Sequence, residues 1–279
     1  ARFSDRVISD VRRFAPNANI MHIDIDPAEI GKNINVQYAI EGDIKKILKL
    51  LNQKVEKKEC TEWVKTINEW KELYPLKYPQ DNKLHPQYII ERMYELTKGE
   101  AIITTEVGQH QMWAAQFYKY TSPRQFLSSG GLGTMGYGLG ACIGAQIGKP
   151  DKKVINVAGD GSFRMNCNEL ATAVEYKLPV VIAIFNNRAL GMVRQWQQLF
   201  YGGRYSATTL DRCTDFKALA EAYGAIGINV TTKEEVDEAL KRALASSDTP
   251  VVINFEIDKD EKVFPIVPPG APISELIEE

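Results

Sequence analysis

The segment KVINVAGDGSFRMNCNELATAVEYKLPVVIAIFNN, Lys153 to Asn187, limits the possible folds of this chain more than any other. Val154 to Ala158 is an apolar run of strand length, broken by Gly159-Asp160-Gly161. Asn168 to Tyr176 has helical spacing, with Leu170, Ala173 and Val174 on one face, and Leu178-Pro179 stops it. Val180 to Phe185 is a second apolar run. Strand, helix, strand at this spacing predicts a βαβ unit with parallel strands and a right-handed crossover.

Asp160 and Asn187 then stand 27 positions apart, each just past the carboxyl end of its strand. That is where open α/β sheets bind ligands. One carboxylate and one amide oxygen make a weak, hard site. It suits Mg²⁺, which takes its other ligands from phosphate and water. Gly161 and Ser162 open a helix whose free N–H groups can hold an anion. A GDG with NN 24 residues later resembles the thiamine-diphosphate fingerprint.

The length of 279 residues allows one large or two modest domains, and a net charge of -2 argues against nucleic acid as a partner. No membrane span or signal peptide is evident. Four cysteines (Cys60, Cys142, Cys167, Cys213) lack CxxC spacing, which fits a reducing cytoplasm. Cys142 and Cys167 fall in apolar helical stretches and read as core residues.

The chain opens on Ala1-Arg2-Phe3 with helix-like sequence almost at once, and reads as cut from something longer. Residues 1–52 look like the last part of a Rossmann-like domain. Strands are expected over Asn19–Asp26 and Val36–Glu41, and Asp43 can cap a helix bearing Ile44, Ile47, Leu48 and Leu51. Asp24 at a strand end can bond a ribose or ribityl hydroxyl. Residues 53–83 read as a linker with a helical arm, 84–262 as the main domain and 263–279 as a tail. Within 84–262, a helix starts at Pro86 and ends at Gly99. Six strands are expected, over 101–105, 125–129, 154–158, 180–185, 225–230 and 250–257. Helices between them predict a three-layer αβα domain around a mostly parallel sheet.

Two other strand ends carry polar groups. His110, near a helix start, can bind phosphate oxygens. Gly131, Gly133 and Gly136 form G-x-G-x-x-G after a strand, with Asp160 24 residues beyond, so an NAD site is an alternative. That alternative leaves Asn186-Asn187 and Gly161-Ser162 unused.

Longer matches resolve the resemblance further. HIDIDPAEIGKN, EVGQHQMWAAQ, SSGGLGTMGYGLGA, GDGSFRMNCNEL, FNNRALGMVRQWQQLFY and VPPGAPISELI resemble the catalytic subunits of the acetohydroxyacid (acetolactate) synthase family. That resemblance implies condensation of two 2-keto acids with loss of CO2 in branched-chain amino acid synthesis. It implies thiamine diphosphate, Mg²⁺ and a non-redox FAD, a homodimer or homotetramer, and a regulatory small subunit. Carried over by position, Asp160, Asn187 and the backbone oxygen of Ala189 ligate Mg²⁺. Val107, Gln109, His110, Gly159, Gly161, Ser162, Gly191 and Met192 surround the diphosphate. Gly133 offers its carbonyl to the pyrimidine, and Met135 supports the cofactor in its bent form. Trp196 shapes the second keto acid's pocket, and Arg6 holds that acid's carboxylate. Arg6, Val7, Asp24, Ile25 and Asp43 border FAD. Ser4 departs from the acid often found beside Asp5, and GDGS replaces GDAS. The glutamate that acts on the pyrimidine ring comes from the family's N-terminal domain, so these residues alone are expected to be inactive. Other thiamine carboligases, pyruvate oxidase, or a non-catalytic cofactor-binding module are the alternatives.

Overall fold

The computed structural model describes residues 2–210 and 214–278, so Cys213 lies outside the described residues. The chain forms two compact units. The first runs through Pro75 and is rejoined by the segment from Phe264 onward; the second is Leu76–Val263.

The first unit contains α1 (Asp5–Ile8), β1 (Met21–Asp24), β2 (Tyr38–Glu41), α2 (Ile44–Leu51) and α3 (Thr61–Leu73). β1 and β2 pair in parallel. Asp43 caps α2, its carboxylate accepting from Lys46 N at 3.0 Å. The apolar face expected of α2 is present but stays in solvent, with Ile44 51% and Leu48 46% exposed.

The second unit contains α4 (Pro86–Leu96), β3 (Ile102–Thr105), α5 (Gln109–Phe117), β4 (Phe126–Ser128), α6 (Tyr137–Gly148) and β5 (Val154–Gly159). It continues with α7 (Asp160–Phe163), α8 (Leu170–Glu175), β6 (Val181–Asn186), α9 (Gly191–Phe200), α10 (Phe216–Ala222), β7 (Ile226–Val230), α11 (Val236–Ala245) and β8 (Val251–Glu256). The six strands lie in the order β4-β3-β5-β6-β8-β7, and every pairing is parallel. The helix expected over Asn168–Tyr176 begins instead as a 3₁₀ turn, Cys167–Glu169, before α8. Cys142 is buried as expected, whereas Cys167 is only half-buried.

Alternation along the strands builds one core on each face. Ile155, Val157, Val181, Ala183, Phe185, Val251, Ile253 and Phe255 pack with α4, α5 and α11 on one side. Val154, Ala158, Ile182, Ile184 and Val252 pack with α6, α8 and α10 on the other. Both faces are covered, which is why these strands are mostly apolar, with buried Asn156 and Asn254 as the polar exceptions in β5 and β8. From β3 the chain steps outward to β4, then back past β3 to β5. The crevice at the carboxyl ends of β3 and β5 is therefore a topological switch point, where such sheets take ligands.

Gly138 sets how closely α6 approaches the sheet. A Cβ there would stand 2.7 Å from Glu106 N and 2.8 Å from the Thr105 carbonyl carbon. Gly138→Ala should therefore cost about 1–3 kcal/mol of stability, because backbone yields poorly to overpacking. Gly140→Ala, in the same helix with nothing within 4 Å, should be neutral or stabilise by up to about 1 kcal/mol. Urea unfolding of both variants checks this; equal effects would mean that α6 does not press on β3.

Candidate active site

Three strand ends build the site. β3 delivers Glu106, Val107 and Gly108 into α5; β5 delivers Asp160 as the first residue of α7; β6 delivers Asn187, Ala189 and Leu190 into α9. Together they enclose a cavity of ≈ 100 Å³. Its walls include Val107, Gln109, His110, Gly159, Asp160, Gly161, Ser162, Asn187, Ala189, Gly191 and Met192, with Met135 from the glycine-rich loop. Trp113, Phe185, Leu190 and Val193 also line it. They carried no signal in the sequence, because apolar residues at strand ends and helix starts read as core. Gly133 is outside the lining and takes a left-handed turn, φ 65°.

The cavity is tailored by glycines. A Cβ on Gly159 would lie 2.7 Å from His110 Nδ1, and one on Gly108 2.9 Å from His110 Cε1. The imidazole is thus seated against two bare backbones. A Cβ on Gly191 would collide with Gln109 Oε1 and stand 2.5 Å from Asn187 Nδ2.

Two polar atoms in this cavity are buried without a partner, Asp160 Oδ2 and His110 Nε2. Burial lowers the His110 pKa to about 3, so the ring is neutral. Burial pushes the Asp160 carboxyl up to about 6, against the opposing pull of Arg164 and the N–H groups of Gly161 and Asn187. Orphaned buried polar atoms are costly, and a divalent cation is a natural partner for a carboxylate so placed. Among the described residues no three His, Cys, Asp or Glu side chains gather to hold a metal alone. A cation here would draw on Asp160, the Asn187 amide oxygen, backbone oxygen and a ligand's own phosphate. The starts of α5 and α9 add free N–H groups and the positive end of the helix dipole. α7 is a single turn of four residues and adds little of that dipole.

Glu106 has a different task from any site role. It is fully buried, and desolvation raises its pKa. It accepts from Gly136 N at 2.7 Å, Leu139 N at 3.1 Å and Ser162 Oγ at 3.0 Å. It therefore ties the start of α6, and the loop bearing Met135, to α7. Ser162, expected beside the diphosphate, lines the cavity but spends its hydroxyl proton on Glu106.

Trp196 is 38% exposed and faces an adjoining open groove of ≈ 540 Å³ with Met192, Val193, Gln197, Tyr201 and Arg204. Met192 and Val193 border both spaces. Arg6, Asp24, Ile25 and Asp43 belong to the first unit. Asp24 accepts from Asp26 N at 3.0 Å, which holds its carboxyl below the usual range. Ile25 and Val7 are 69% and 64% exposed.

The glycine run does not work as a dinucleotide loop. In that fold the third glycine lets the helix approach the sheet. Here Gly136 caps α6 in a left-handed conformation, φ 88°, and the close approach falls to Gly138.

Comparison with known families agrees. Residues 106–255 match the C-terminal TPP binding domain of thiamine pyrophosphate enzymes, and residues 1–51 match their central domain. The chain belongs to the thiamine pyrophosphate enzyme family. The NAD alternative is thereby overturned. A probable acetolactate synthase large subunit of Methanocaldococcus jannaschii is 46% identical over 289 residues, covering 99% of this chain and 48% of that protein. A probable acetolactate synthase large subunit of Methanococcus aeolicus is 45% identical, with 99% and 49% covered. Acetolactate synthase isozyme 3 large subunit of Escherichia coli is 40% identical, with 99% and 50% covered. The chain spans about half the length of these curated relatives.

Asp160 gives this chain a testable pH dependence without cations. Below its ordinary value of 3.8 the carboxyl is protonated in both states and burial costs no ionisation energy. Between 3.8 and about 6 only the unfolded chain ionises, so stability falls as pH rises. Above about 6 the folded state carries the full cost, about 3 kcal/mol for a two-unit shift. In chelator, Asp160→Asn should be more stable than the parent by up to that amount at pH 7.5, and the gain should vanish by pH 4. Denaturant unfolding at both pH values checks it, and an unchanged difference would mean that Asp160 is not the desolvated acid.

Proposed function

We propose that this chain holds thiamine diphosphate and Mg²⁺ in the cavity, as the cofactor-bearing half of an acetolactate synthase large subunit. The full protein would join pyruvate to a second pyruvate or to 2-ketobutyrate. CO2 is lost, and the product is 2-acetolactate or 2-aceto-2-hydroxybutyrate for branched-chain amino acid synthesis. One observation carries the cofactor assignment: two unpartnered buried polar atoms, the acceptor Asp160 Oδ2 and the ring nitrogen His110 Nε2, in one cavity at the switch point of the sheet. The names borne by the relatives support the reaction.

When bound, thiamine diphosphate supplies the electron sink that lets a 2-keto acid lose CO2. This chain's residues position and shield. Asp160, Asn187 and the Ala189 backbone oxygen would hold Mg²⁺. N–H groups at the starts of α5 and α9 would meet the diphosphate, and the neutral His110 would hydrogen-bond without adding charge. Met135 would support the cofactor's underside and Gly133 its pyrimidine. Trp196 would pack against the second keto acid from the groove beside the cavity. In the first unit, Arg6 would grip a carboxylate, and exposed Val7 and Ile25 fit the flat apolar ring of FAD, with Asp24 and Asp43 as its polar neighbours. A homodimer or homotetramer with a regulatory small subunit completes the proposal. Among the described residues lining the cavity, Asp160 is the only carboxylate, and the cation would claim it. The acid that acts on the pyrimidine ring is thus proposed to lie outside them. These 279 residues alone should turn over pyruvate far more slowly than the full-length protein.

In the full-length protein, Asp160→Ala should abolish Mg²⁺-dependent thiamine diphosphate binding while leaving the fold intact. Calorimetry with and without Mg²⁺ reads this directly; unchanged affinity sinks the assignment. Trp196→Leu should lower the ratio of 2-aceto-2-hydroxybutyrate to 2-acetolactate, since one packed methylene is worth about 1–3 kcal/mol of discrimination. An unaltered product ratio removes Trp196 from the substrate pocket.

A further inference from the structure

Gln195 sits on α9 next to Trp196, outside the cavity, yet it is only 2% exposed. Its amide is bound twice to one residue. Val263 N donates to Oε1 at 2.9 Å, and Nε2 donates to Val263 O at 2.9 Å. A backbone N–H can only donate and a backbone carbonyl can only accept, so the two ends of this amide are distinguished by chemistry.

The distinction propagates. Gln195 Oε1 also faces the Gln109 amide at 2.9 Å, and an acceptor there demands Gln109 Nε2. The Glu261 carbonyl, 2.7 Å from the same Nε2, makes the same demand. Gln109 Oε1 must then point the other way, where it accepts from Asn187 Nδ2 at 3.3 Å. Asn187 Oδ1 in turn lies against Ala189 N at 3.0 Å, with a second lone pair left over. Turning any one of these amides over would set like against like at both of its ends.

The backbone anchors are themselves pinned. His85 bridges Glu261 at 2.6 Å and Asp81 at 2.8 Å. Trp113 Nε1 donates to Lys262 O at 3.3 Å, and Arg194 binds Asp260 at 2.8 Å. The segment reaching Val263 is thus a rigid reference for the amide chain.

We propose that Gln195 is a positioning residue for the cation. Through Gln109 it holds the Asn187 amide so that Oδ1, not Nδ2, is the end available to Mg²⁺. This rests on the cavity being a Mg²⁺ and thiamine diphosphate site. Mg²⁺ demands near-ideal octahedral geometry, whereas Ca²⁺ tolerates irregular ligands. Loss of orientation, unlike loss of a ligand or of the fold, therefore weakens Mg²⁺ more than Ca²⁺.

The test titrates Mg²⁺ and, separately, Ca²⁺ into full-length protein saturated with thiamine diphosphate, by calorimetry. Gln195→Met removes the amide at similar volume. It should weaken Mg²⁺ by 10- to 100-fold, the range seen when a ligand's supporting partner is lost, and Ca²⁺ by under about threefold. Gln195→Glu still accepts from Val263 N and Gln109 Nε2, and at this buried position its neutral acid O–H replaces the amide as donor to Val263 O, so it should hold both ions near the parental values. Should Gln195→Met fail to fold, Gln109→Met breaks the same chain one link nearer and should show the same selective loss. A Mg²⁺ loss under tenfold, an equal loss for both ions, or a loss in Gln195→Glu matching that in Gln195→Met overturns the proposal. A parental protein that binds thiamine diphosphate independently of Mg²⁺ overturns the underlying cofactor reading, and this inference with it.

Discussion

Burial of β5 and β6 on both faces is the constraint from which the rest follows. Each is a six-residue strand with every residue buried. The one polar side chain inside β5, Asn156, is spent on the fold, accepting from Thr104 Oγ1 at 3.2 Å, so ligand chemistry is displaced to the strand ends. Parallel pairing puts those ends on one edge, since every strand runs the same way. Asp160 and Asn187 are the first residues beyond the two central strands. Their meeting at one cavity follows from the sheet and needs no long-range coincidence.

The edge is then organised by two polar systems with different purposes. Glu106 gathers N–H groups of Gly136 and Leu139 and the Ser162 hydroxyl, and so closes the loops around one side of the cavity. Those bonds offset its desolvation cost only in part, since its pKa remains raised. The amides of Asn187, Gln109 and Gln195 order the other side without any net charge. Asp160 differs from both. Its Oδ2 has no partner, so this residue carries a stability cost that belongs to a site. Natural sites tolerate such local violations where a ligand relieves them.

Close packing complements the polar order. Gly108, Gly159 and Gly191 stand where any side chain would strike His110, Gln109 or Asn187. Gly138 lets α6 press on β3. The two spaces that result differ in size: a small cavity with polar orphans, and beside it a larger open groove whose wall includes Trp196.

The strands, their parallel pairing, the βαβ unit and the helix starts at Pro86 and Asp43 were legible in the sequence, because hydrophobic period and capping chemistry are local. The pairing of GDG with NN carried the cofactor family for the same reason: its spacing is one turn of strand, helix and strand. The approach of Gly138 to the sheet was not legible, since the glycine motif that ends two residues earlier has the same composition. Nor was the commitment of Glu106 to three donors, nor the place of Gln195, which reads as one more glutamine on a polar helix. Those depend on which backbone atoms arrive from distant parts of the chain, and only the tertiary structure brings Val263 and Glu261 against α9 and α5. Sequence determines which residues can bond; the fold decides which lone pair is left for the ligand.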